Sequence, residues 1–107
     1  MAKYLFSSKY TPEAAAAVRE AGYASRIAAT NAMAASVGGT VESIWFTTGD
    51  WSVHIIFDFP SEATAFAIES MAWATGNGTS IDVQPLFTPA EADAAIAAKV
   101  DFIPPGS

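Results

Sequence analysis

At 107 residues the chain has the length of one compact domain, with a core that is adequate but not generous. Five Lys or Arg stand against eleven Asp or Glu for a formal charge of −6, and the cations (Lys3, Lys9, Arg19, Arg26 and Lys99) are scattered. That pattern offers no basic patch to nucleic acid or to an anionic membrane. With no cysteine there is no disulfide scaffold, no thiol catalysis and no thiolate metal site. No apolar run approaches the roughly 20 residues of a membrane span, and MAKYLFSSKY lacks the apolar core and cleavage site of a signal peptide. A cytoplasmic protein is expected. Half of the residues are hydrophobic and only 15% charged, so an apolar partner surface is plausible for a chain of this size.

In chain order, Lys3–Tyr10 alternates as a strand, with Tyr4 and Phe6 on one face and Leu5 on the other. Thr11-Pro12-Glu13 has the capping residue, first-turn proline and early acid of a helix start. The alanine-rich segment from Pro12 to Val37 is helical by propensity, and Gly22 with Tyr23-Ala24-Ser25 marks a kink or a break into two helices. Gly38-Gly39 ends it. Thr40–Thr48 is β-branched and aromatic, Gly49-Asp50 turns, and Trp51–Phe59 returns, which predicts a hairpin. Ser61 caps a helix reaching about Trp73, and Gly76-Asn77-Gly78 closes it. Thr79–Leu86 is a fourth strand. Thr88 and Glu91 have capping-box spacing for a last helix to about Lys99, and 100–107 is an extended tail.

The resulting β-α-β-β-α-β-α order is α+β: a ferredoxin-like βαββαβ unit with an added C-terminal helix, spanning 1–107 as one domain. Helices cover one face of such a four-stranded antiparallel sheet and leave the other bare. Yet the third strand carries Trp51, Val53, Ile55 and Phe57 on one side and Ser52, His54, Ile56 and Asp58 on the other. A strand largely apolar on both sides is central and covered on both. A second copy of the same sheet is the simplest cover, so a homodimer is expected.

The hairpin and its flanks resemble the GYD-domain family of small bacterial proteins. The family's turn, roughly Gly-x-Tyr-Asp before an apolar strand and a proline, corresponds to Gly49, Trp51 and Ser52, then VHIIFDF and Pro60. The opening KYLFSSKYTPE, Arg26 with Ala28-Ala29, Gly38-Gly39 before VES, LFTPAEADAA and the closing Pro-Pro-Gly fit as well. The likeness covers nearly the whole chain. It implies a ferredoxin-like fold assembled as a dimeric α+β barrel, a class that includes cofactor-free monooxygenases, isomerases, haem enzymes and ligand-sensing domains. Here the signature Tyr and Asp are Trp51 and Ser52, leaving no phenol or carboxylate at those positions.

The candidate chemistry is sparse. His54 is the sole histidine, and Asp58 on the same strand face lies about 13 Å away at 3.3 Å per residue, so the two form no dyad. Ser52 and His54 share a face at about 6.6–7 Å, with no nucleophile elbow to support a hydrolase. Trp45, Trp51 and Trp73 are core or interface residues, or else the walls of an aromatic-lined pocket. Arg26 is a solvated cation or an anion clamp on a ligand. The candidate ligand-binding set is therefore Arg26, Trp45, Trp51, Ser52, His54 and Trp73. The leading expectation is a homo-oligomeric domain that binds a small, mainly apolar molecule. The alternatives are a cofactor-free monooxygenase or isomerase with His54 as catalytic acid–base group, and a purely structural assembly protein. No metal or other cofactor is expected, haem being the one group that a single imidazole at His54 leaves open.

Overall fold

The computed structural model describes residues 1–106. Its elements run β1 (Ala2–Tyr10), α1 (Pro12–Ala21), α2 (Ser25–Ser36), β2 (Thr40–Phe46), β3 (Val53–Phe59), α3 (Glu62–Thr75), β4 (Gly78–Leu86) and α4 (Pro89–Ile96). The strands form one antiparallel sheet in the order β2-β3-β1-β4, the ferredoxin-like arrangement with an added helix. β3 is central, as its doubly apolar pattern predicts.

Local chemistry explains the helix boundaries. Thr11 Oγ1 accepts from the Ala14 amide at 3.1 Å, and Ser61 Oγ from the Thr64 amide at 3.2 Å. At α4 the box is complete: the Glu91 amide donates to Thr88 Oγ1 at 3.1 Å and the Thr88 amide to Glu91 Oε1 at 2.9 Å. The bond from the Thr88 amide, and after it one from the Thr88 side chain, hold the Glu91 carboxyl below the ordinary carboxylate range. The break at Gly22 is real and separates α1 from α2. Gly39 has a different reason to be glycine: a Cβ there would lie 2.6 Å from the Phe59 ring and 2.7 Å from the Asp58 carbonyl.

Two boundaries differ from expectation. The hairpin turn is not the pair Gly49-Asp50 but a loop from Thr47 to Ser52, closed by the Thr47 amide on the Ser52 carbonyl at 3.0 Å. Ser52 is drawn toward β1 instead, its amide donating to the Ser8 carbonyl at 2.8 Å while its Oγ accepts from the Tyr10 amide at 3.1 Å. The last helix stops at Ile96, short of Lys99. The tail expected over 100–107 is irregular through Gly106, and Ser107 lies outside the described residues.

The core lies between the sheet and the helices. Val53, Ile55, Phe57 and Phe59 alternate inward along β3, and Phe57 and Phe59 are fully buried. Phe6 meets Phe57 edge-on at 6.1 Å between ring centroids, and Tyr4 meets Phe59 at 5.8 Å. Ala34 of α2 and Ala65 and Ile68 of α3 close the layer. Beyond this unit every described residue from Phe87 onward is exposed, α4 included. The radius of gyration is accordingly 16.6 Å, against about 13 Å for a compact chain of this length.

Candidate functional site

Strand alternation divides the candidate residues between two places. On β1 and β3, Phe6, Ser8, Val53 and Ile55 face the helices, whereas Ser7, His54 and Ile56 face away. The inward residues form the floor of a cleft of about 160 Å³ whose sides are α2 and α3. Arg26, Thr30 and Met33 line it from α2, at the i, i+4, i+7 spacing of one helix face. Ile68, Met71, Ala72 and Thr75 line it from α3 at i, i+3, i+4, i+7.

The polar groups gather at one end, where β1 runs out and β4 begins. Tyr10, Arg26 and Asn77 line both this cleft and a small adjoining cavity. The backbone ties that end together, the Thr11 amide donating to the Asn77 carbonyl at 2.9 Å. Burial lifts the Tyr10 phenol above its ordinary range, and the nearby Arg26 guanidinium partly opposes the shift by its charge and a hydrogen bond. Among the described residues the ion pairs are those of Lys3 with Glu42 and Asp58, so Arg26 has no carboxylate partner. No Asp or Glu lines the cleft.

The outward residues form a row across all four strands. Register pairs Asp82 of β4 with Ser7, Ser7 with His54, and His54 with Trp45 of β2. Ser7 is buried, and its Oγ lies 2.7 Å from His54 Nδ1 in a hydrogen bond whose donor depends on the tautomer. The Trp51 ring stands 6.3 Å from the imidazole, and Trp45 is 66% exposed. In a nucleophilic triad the acid orients the histidine. Here the serine stands between the two, and Asp82 takes a hydrogen bond from Gln84 at 2.9 Å. The order is that of a register row with one hydrogen-bonded pair, Ser7 and His54, rather than a charge-assisted nucleophile.

The predicted set is thus not one pocket. Arg26 alone lines the cleft; Trp45, Trp51 and His54 meet on the far side of the sheet. Ser52 lines a neighbouring cavity of about 270 Å³ with Tyr10, Tyr23 and Phe46. Trp73 is half exposed on α3 and donates to Glu69 at 3.4 Å. The cleft walls are mostly aliphatic rather than aromatic. Sequence reasoning missed Tyr10, Thr30, Met33, Met71 and Asn77, although the helical spacing from Arg26 to Thr30 and Met33 was available as a signal. Among the described residues no group of three or more His, Asp or Glu is placed to hold a metal ion, and no helix is long and apolar enough to cross a membrane.

Fold and cleft together define a small ferredoxin-like α+β protein with an open space between its sheet and helices. The GYD domain family model matches residues 4–96, and the chain belongs to that family. Comparison with curated proteins and with solved structures finds no match.

Proposed function

We propose that this protein binds a small, mainly apolar molecule in the cleft between its sheet and helices α2 and α3, and that it does so as a homodimer. The observation that carries the binding reading is a cleft with a mainly apolar floor and walls, open to solvent, whose one cation and one carboxamide stand together with Tyr10, the usual construction of a small-molecule site. The dimer is supported by the outer sheet face, where Leu5, Ile56 and Trp45 stay at least partly exposed, and by the exposed apolar side chains Ile96, Val100, Phe102 and Ile103 of the C-terminal arm. A cytoplasmic setting belongs to the same proposal, since a chain without cysteine needs no oxidising compartment to fold.

Native mass spectrometry of freshly purified protein tests both parts. The expected spectrum is a dimer carrying a small molecule that dissociates on collisional activation, with a melting temperature raised by compounds that refill the cleft. Monomer at micromolar concentration would remove the dimer. No retained mass, and no thermal shift across a panel of small apolar compounds, would remove the binder. Tryptophan emission is a poor reporter here, because no tryptophan lines the cleft.

A further inference from the structure

Resting on that reading of the cleft, we infer that its ligand is a small apolar monocarboxylic acid, with the carboxylate held by Arg26 beside Tyr10 and Asn77 and the hydrocarbon part lying between α2 and α3. Charge distribution is the first reason. The chain has eleven acidic residues and five Lys or Arg, yet none of the acids lines the cleft and one of the few cations does. A neutral ligand needs no such segregation, and a cationic one would meet Arg26 at the rim. Among the described residues Arg26 is moreover without a carboxylate partner, and its planar fork, which also reaches the Tyr10 phenol, has further N–H groups to take a ligand carboxylate.

The neighbouring groups agree in sense. A phenol, which is protonated at neutral pH, and a carboxamide each offer a donor. A single cation balances a single negative charge, which disfavours phosphate esters with their higher charge and larger set of acceptor oxygens. Size narrows the class further. The cleft of about 160 Å³ is close to the ~150 Å³ of an apolar cavity that admits benzene, so the hydrocarbon part is one ring or a short chain. Met33 and Met71 face it from opposite helices, and their unbranched thioethers adjust to ring or chain alike.

The three methionines make the test direct. Met33 and Met71 line the cleft, while Met1 is 71% exposed outside it, so methyl-¹³C methionine labelling gives two reporters and an internal control. The full chain is titrated with benzoate, cyclohexanecarboxylate and hexanoate, and with the amide of each acid as its neutral counterpart. The acids should shift Met33 and Met71 and leave Met1 unmoved, and each amide should bind about tenfold or more weakly than its acid. Arg26→Gln should erase that preference, and Tyr10→Phe should reduce it several-fold; the unliganded methionine spectrum of each variant reports whether the fold is intact. Added salt should weaken the acids and not the amides. If acids and amides bind equally, or Arg26→Gln retains the preference, the carboxylate inference is overturned while the cleft remains a site for apolar molecules. If no compound moves Met33 or Met71, both fall together.

Discussion

The two faces of the sheet are built from the same strands, and they do different work. Toward the helices, β3 presents Val53, Ile55, Phe57 and Phe59, all buried, and β1 adds Tyr4, Phe6 and Ser8. Away from them the same strands present Ser7, His54, Ile56 and Asp58, of which only Ser7 is buried. The inner face is held by apolar area and leaves a cleft where the two helices part. The outer face is held by specific bonds: Ser7 to His54, and Lys3 to Glu42 at 3.0 Å and to Asp58 at 3.1 Å. Two kinds of residue set therefore alternate along one strand, a core held by buried apolar area and a row whose side chains are joined by individual bonds.

The contrast breaks most visibly under truncation. Phe57→Ala on the inner face should cost about 3–5 kcal/mol of unfolding free energy, the usual loss for a fully buried aromatic ring. Trp45→Ala on the outer face removes a larger ring, but one that is 66% exposed, and should change the stability of the isolated chain by no more than about 0.5 kcal/mol. Chemical denaturation at a concentration where the protein is monomeric compares them. Equal losses would mean that the outer face is as much a core as the inner.

A smaller effect sharpens the polar side. His54→Leu leaves the buried Ser7 hydroxyl without its imidazole and should cost about 1–3 kcal/mol. Ser7→Ala added to it should restore most of that loss, because no unpaired group then remains. Strict additivity in the double-mutant cycle would show that the 2.7 Å bond contributes nothing to folding. Since His54 faces away from the cleft, none of these variants should alter ligand binding there.

The smallest effect is a pH dependence on the inner side. Burial raises the Tyr10 pKa above its ordinary 10.0, so the folded protein holds this proton more tightly than the unfolded chain does. The stability this contributes is complete below pH 10 and is lost as pH climbs through the raised folded value. Wild type should therefore lose stability more steeply than Tyr10→Phe above pH 10, and the two should run parallel at neutral pH. Melting curves of both proteins across that range provide the measurement.

Much of the architecture is legible in the chain because it depends on neighbours in sequence. The caps at Thr11, Ser61 and Thr88 act within three residues, and the break at Gly22 is likewise local. Alternation along VHIIFDF put β3 at the centre of the sheet and His54 opposite Val53 and Ile55. What alternation alone leaves open is which face the helices cover, and that decides where His54 points. The helices settled on the side of Phe57 and Phe59, where the larger apolar area is removed from water. His54 was thereby left with Ser7, which lies 47 positions away in sequence and opposite it in the β1–β3 register. The cleft has the same origin. Arg26 and Tyr10 are ordinary residues of a helix and a strand until tertiary packing brings the start of α2 over the end of β1 and joins them with Asn77, and no local spacing records that meeting.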